Sequence, residues 1–365
     1  MLDFDKFGPK RDIKDALSFD KYVLFGAGDS SDAVFRFLAA QGKQVIAYLD
    51  NDPGLHGRTR HGVGIHRPEN VHSFLNDEVA IVISCCFQND IARQLTDELK
   101  VSRRRIFSYI SGMYHRHYTP ELLEQNKDKI ERLMLSLEDD ESRNYLMGLM
   151  QFRWTMDPSF LRPNKKVAGH YSYTERIVGP KKGDMIIDCG AYDGDSARIF
   201  LDRLGGDCKI HAFEPFEPNF RKMKDWITAE RLDGVIFPVM KAVGNSKEKK
   251  RIFFTRNDQD LGATTRQQSV EGESLEIEVD TLDNLFYGKE KVGFIKMDVE
   301  GVETEALLGA RKIIEKDAPA MAITAYHRAE DLWEIPILIN GMHRGYKIFA
   351  GHHPRCFYEV EYYFA

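Results

Sequence analysis

The chain has 365 residues, 42% of them hydrophobic and 30% charged, with a net charge of -6. That length allows two globular domains, no run of about 18 apolar residues offers a membrane span, and the charge supplies no general attraction to nucleic acid. Five cysteines without a C-x-x-C pair support neither a disulfide framework nor a zinc cluster, and without a charged-then-apolar leader the chain is read as cytoplasmic.

After a lead-in over residues 1–17, residues 21–25 are expected to form a strand. The turn Gly26-Ala27-Gly28-Asp29-Ser30-Ser31, an amphipathic helix over 32–41 and a second strand over 45–49 ending at Asp50 follow it. A tight glycine turn, a helix start and an acid placed for a ribose hydroxyl outline a nucleotide site, with Gly26, Gly28 and Asp50 as candidate contacts. Ser31 stands where the fingerprint has its third glycine, so the outline is incomplete. Three readings stand: a packing or dimerisation module, a grip on the nucleotide part of a substrate, or a nicotinamide site. A strand over 79–85 and a helix over 90–100 continue the pattern; Cys85 and Cys86 are read as core and Arg103 to Arg105 as a solvated turn. The stretches VLFGAGDSSDAVFRFL, VIAYLDND and AIVIS resemble the small Rossmann-like domain at the front of sugar-modifying acyltransferases and aminotransferase-linked enzymes, which implies a sugar substrate.

Thr119-Pro120-Glu121 has the form of a helix start, and residues 122–150 carry apolar side chains at three- and four-residue spacing. The expected organisation is an N-terminal Rossmann-like α/β domain over 1–115, a helical connector over 116–165 and a larger α/β domain over 166–365.

The larger domain opens on MIIDCGAYDG at residues 185–194. Consecutive apolar positions suit a strand buried on both faces, Asp188 stands at its carboxyl end, and Gly190 and Gly194 permit a sharp turn against a ligand. Ser196 opens a helix whose amino-terminal dipole favours an anionic group. One strand–helix–strand repeat later, a strand over 209–213 ends in Glu214-Pro215, an acid placed for both ribose hydroxyls of an adenosine. A third strand over 235–243 leads to Gly244, a β insertion spans 251–279 with a turn-rich stretch at 257–265, and a fourth core strand over 292–297 ends in Asp298-Val299-Glu300-Gly301. Two carboxylates at one strand tip are costly unless they meet a cation, a hydroxyl or a proton. A helix over 303–315, a strand over 320–324 with His327 just beyond it, and an antiparallel pair over 346–350 and 356–364 close the sheet.

The ordered stretches IIDCGAYDGDSARIF, IHAFEPFEPNF, KAVGNSKEKKRIFF, VDTLDNL, GFIKMDVEGVETEALLGA and ITAYHRAEDLWEIP resemble the FkbM-like methyltransferases. The resemblance implies a class I, seven-stranded Rossmann-like methyltransferase sheet. It also implies S-adenosylmethionine as cofactor and O-methylation of a sugar or polyketide-derived hydroxyl. By the same resemblance Asp188, Gly190, Tyr192, Gly194 and Ser196 line the methionine part, Glu214 and Pro215 hold the ribose, Ala242, Val243 and Gly244 flank the adenine, and Asp298 adjoins the cofactor. Asp298, Glu300 and His327 face the acceptor as catalytic residues. The turn reads AYDGD where the family commonly has asparagine, a hydrophobic residue and then glycine.

The expected chemistry is in-line attack of a hydroxyl on the sulfonium methyl, with His327 favoured as base because its ordinary pKa is near neutral. Mg²⁺ on Asp298 and Glu300 is a second expectation. Rival readings are a nicotinamide-dependent nucleotide-sugar oxidoreductase, N-methylation of an amino sugar, and a non-catalytic scaffold. The acceptor is expected to be a small molecule or glycan, with homo-oligomerisation left open.

Overall fold

The computed structural model describes residues 2–8, 13–108, 120–174, 178–254, 263–264, 274–354 and 356–365. The expected cap Thr119, the expected boundary at 115/116 and most of the turn-rich stretch 257–265 lie outside the described residues. The chain divides into two compact units. One comprises Met1–Met134, Asn144–Pro163 and Arg355–Tyr358; the other comprises Leu135–Arg143, Asn164–Pro354 and Glu359–Ala365.

The first unit is built on a six-stranded sheet. Its strands are β1 (Lys21–Phe25), β2 (Gln44–Leu49), β3 (Thr59–Arg60), β4 (Val63–His66), β5 (Val79–Ile83) and β6 (Ile106–Ser108), in the order β3-β4-β2-β1-β5-β6. All neighbours pair in parallel except β3 with β4. The strand Val79-Ala-Ile-Val-Ile83 is buried at every position, as a parallel strand covered on both faces must be. The expected helix over 90–100 is α-helical over Gln88–Arg93 and continues as a π-helical turn over Gln94–Glu98.

The second unit holds a seven-stranded sheet of β7 (Met185–Cys189), β8 (Lys209–Phe213), β9 (Ile236–Val239), β14 (Val292–Met297), β15 (Ala320–Thr324), β16 (Ile348–His353) and β17 (Cys356–Phe364). A smaller sheet comprises β10 (Ala242–Val243), β11 (Glu248–Phe254), β12 (Ala263–Thr264) and β13 (Ser274–Asp280). The large sheet runs β16-β17-β15-β14-β7-β8-β9, parallel from β15 to β9, with β17 antiparallel to β15. The chain leaves β7 toward β8 and β9 and later returns on the other side as β14 and β15. The strand order therefore reverses at β7, which is where open α/β sheets bind ligands.

Three expected elements are subdivided. Residues 235–243 split into β9, which joins the large sheet, and β10, which pairs with β13 in the small one. The helix over 303–315 breaks into Glu303–Leu308 and Arg311–Asp317 at Gly309, where a Cβ would lie 1.9 Å from the Gly244 carbonyl oxygen. Residues 122–150 form three helices, Pro120–Gln125, Lys127–Ser136 and Asp140–Thr155, rather than one. Among the described residues no helix is long and apolar enough to cross a membrane.

Candidate active site

At the end of β7 the backbone turns through Gly190 at φ +79°, and the amides of Gly190 and Ala191 both donate to the Phe213 carbonyl of β8. Gly194, at φ +93°, packs against Trp226 and Met223 and leads into the helix Asp195–Leu204. Between them Tyr192 adopts φ +48°, and its amide donates to Glu214 Oε2 at 3.0 Å. The second oxygen of Glu214 accepts from the Phe216 amide at 2.9 Å. The glycine turn and the tip of β8 are thus fastened through a single carboxylate.

A cavity of about 250 Å³ opens over these strand ends. Of the residues anticipated from sequence, Gly190, Tyr192, Glu214, Pro215, Ala242 and Val243 line it, as do Asp298 and Glu300 from the tip of β14. The others stand behind its wall. Asp188 is fully buried, with its carboxylate 3.2 Å from the Lys296 ammonium and accepting from Ser196 Oγ at 2.5 Å. Gly244 donates its amide to the Asp280 carbonyl. His327 is 3% exposed, with Nδ1 2.8 Å from Glu303 Oε1 and Nε2 3.6 Å from both Asp298 Oδ1 and Glu300 Oε2.

Tyr171, Asp195, Asn219, Lys241 and Lys296 also line the cavity and were missed by sequence reasoning. A lone lysine in the apolar run VGFIKM was the available signal, since a buried ammonium demands a partner. Tyr171 precedes the motif region and carried no signal; its hydroxyl donates to Asp298 Oδ2 at 3.0 Å. Asn219 is buried, and among the described residues its side-chain carbonyl accepts no hydrogen bond. A buried acceptor without a donor is costly, so this wall of the cavity suits a ligand that brings one.

The acids differ in charge state. Burial pushes the Glu214 carboxyl up to about 7, against the hydrogen bonds from the Phe216 and Tyr192 amides. Burial acts the same way on Asp298, but His327, Lys296 and the Tyr171 hydroxyl outweigh it and hold this carboxyl below its ordinary value. Burial opposes charging His327, yet Glu303, Asp298 and Glu300 push it up to about 10. At neutral pH His327 is therefore an imidazolium, and the near-neutral pKa that favoured it as base is absent. Asp298, by contrast, stands at the cavity wall as a carboxylate.

Residues 188–348, entirely within this unit, match the family model described as a methyltransferase FkbM domain. The chain carries an FkbM methyltransferase domain. It is a methyltransferase. The crystal structure of methyltransferase FkbM from Methylobacillus flagellatus KT shares the fold, at a TM-score of 0.71 and 19% identity over 98% of this chain and 94% of that one. Weaker likenesses include Aeropyrum pernix fibrillarin, solved with natively bound S-adenosyl-L-methionine, at a TM-score of 0.31 and 16% identity over 51% of this chain and 67% of that one. A SAM-dependent methyltransferase from Aquifex aeolicus gives a TM-score of 0.31 and 15% identity over 51% and 84%. Ahead of the FkbM domain, residues 18–107 match a model described as C2185-like, N-terminal. No curated protein matches the chain.

The glycine turn ahead of the FkbM domain, in the first unit, is occupied by the chain itself. Asp50 accepts from the amides of Ala27 at 2.7 Å and Asp52 at 2.8 Å. Arg60 donates to the Ala27 carbonyl and to Asp29 and Asp32 at the start of the helix Ser31–Ala40. The Gly28 carbonyl accepts from Ser31, and the Gly26 backbone packs against Cys85. The acid expected for a ribose is thus engaged with its own turn, and two aspartates at the helix start disfavour a phosphate.

Proposed function

We propose that this chain is an S-adenosylmethionine-dependent O-methyltransferase acting on a hydroxyl of a sugar or glycan-type acceptor. The observation that carries this reading is one cavity at the reversal point of an FkbM-domain sheet, lined by a carboxyl held near neutrality, Glu214, and a carboxylate held ionised, Asp298. When bound, the cofactor supplies an activated methyl on a sulfonium. Glu214 would hold its ribose, Asn219, Ala242 and Val243 would flank its base, and Gly190 and Tyr192 would meet its methionine part. On the acceptor side Asp298 would take the proton of the attacking hydroxyl, the methyl's bond to sulfur breaking and S-adenosylhomocysteine leaving as the thioether, and Tyr171 and the His327 imidazolium would keep that carboxylate charged and in place. Orienting both partners can supply roughly 7 to 11 kcal/mol.

The test is calorimetric titration with S-adenosylhomocysteine, and separately with NADH. The wild type should bind S-adenosylhomocysteine, and Glu214→Ala should weaken it by about tenfold or more. A carboxylate accepts ribose hydroxyls better than a carboxylic acid does, so affinity should rise with pH from about 6 to about 8, by up to about tenfold per unit. Glu214→Gln should flatten that rise. Binding of NADH alone would overturn the reading in favour of an oxidoreductase.

A second reading rests on Asp298, Glu303 and His327, which offer ligand atoms all within 4.8 Å of one another, a donor set for a divalent cation. The ion pairs of His327 with Glu303 and Asp298 already balance these acids, so methyl transfer is expected to continue in excess chelator. Loss of activity in chelator, restored by Mg²⁺, would favour the metal.

A further inference from the structure

Lys296 is the one charged side chain in β14, and it is 1% exposed. The register sets it directly beside Asp188 of β7, so the two side chains share a face of the sheet. Its ammonium lies 3.2 Å from Asp188 Oδ1 and donates to the carbonyls of Gly190 at 2.5 Å and Cys189 at 3.4 Å. Among the described residues Asp188 Oδ1 accepts no hydrogen bond, so its contact with the ammonium is an ion pair, while the two carbonyls accept from it. The Tyr171 ring covers the remaining side, with its centroid 4.8 Å from Nζ. Asp188 is engaged on both oxygens, by Lys296 and by Ser196 Oγ. Asp188 does not reach the cavity, whereas Lys296 and Gly190 do.

We propose that Lys296 is the positioning residue of the cofactor turn. It ties the Cys189 and Gly190 carbonyls to β14, and Asp188 serves by holding that ammonium in place rather than by touching the cofactor. This rests on the reading of the cavity as a S-adenosylmethionine pocket.

The experiment is S-adenosylhomocysteine titration with thermal unfolding on the wild type, Lys296→Met, Asp188→Asn and the double variant. Lys296→Met leaves a buried carboxylate without its cation and should unfold at clearly lower temperature; the double variant, neutral at both positions, should regain most of that loss. Affinity should follow Lys296 instead of charge balance. It should fall about tenfold or more in Lys296→Met and in the double variant, and no more than about threefold in Asp188→Asn. If Lys296→Met does not fold, the double variant decides the matter. A double variant that binds within about twofold of wild type would overturn the proposal, as would an Asp188→Asn loss equal to that of the double variant. Failure of the wild type to bind S-adenosylhomocysteine would instead bring down the cavity reading, and this inference with it.

Discussion

Asp298→Asn is expected to slow methyl transfer by about 10² to 10⁴-fold while S-adenosylhomocysteine affinity stays within about threefold of wild type. The substitution is nearly isosteric, so the amide oxygen can keep the Tyr171 hydrogen bond, 3.0 Å in the native protein. What it removes is the ability to take a proton and the negative charge facing His327 at 3.6 Å. A proton acceptor matters in the transition state and little in the ground state, so the loss should fall on kcat rather than on KM. His327→Gln should cost less, because it removes a charge that holds Asp298 ionised and leaves the acceptor of the proton in place. Rates of methyl transfer from labelled S-adenosylmethionine to a panel of sugars, compared across the two variants, check the order. If His327→Gln proved the slower enzyme, the histidine would be the base after all.

The strands that carry these acids were legible because the apolar runs are short, continuous and bounded. The expectations for 21–25, 209–213, 292–297 and 320–324 coincide with β1, β8, β14 and β15. Each has at least one parallel neighbour and a mostly buried run, which needs no partner information to be recognised. The subdivided elements needed information from distant chain. The break at Gly309 comes from a carbonyl at Gly244, and β10 leaves the line of β9 because β13 offers it a partner. The strand-tip positions of Glu214 and Asp298 were legible for the same reason as the strands. The charge state of His327 was not, since it is set by Glu303, Asp298 and Glu300 meeting around one ring. The occupied turn at Asp50 was equally hidden, because Arg60 arrives from β3.

Gly190→Ala is expected to be strongly destabilising. At φ +79° an alanine costs about 1 to 2 kcal/mol from its backbone conformation alone. Here the added Cβ would also lie 1.8 Å from the Asp298 carbonyl oxygen and 2.9 Å from its carbon. Neither backbone can step aside freely. The Asp298 amide donates to the Cys189 carbonyl, the Gly190 amide is bonded to Phe213, and Lys296 grips the Gly190 carbonyl. Relief must therefore come from separating the tips of β7 and β14, and the total cost should be on the order of 4 kcal/mol or more. For a unit of this size that lowers the unfolding temperature by about 10 °C, with cofactor binding lost. Gly183→Ala is the matched control: φ is +81°, and a Cβ there meets nothing within 4 Å. It carries only the conformational cost, about 2 to 8 °C. Calorimetric scans of the two variants separate close approach from backbone strain, and equal losses in both would mean that the β7 and β14 tips are not locked together as described.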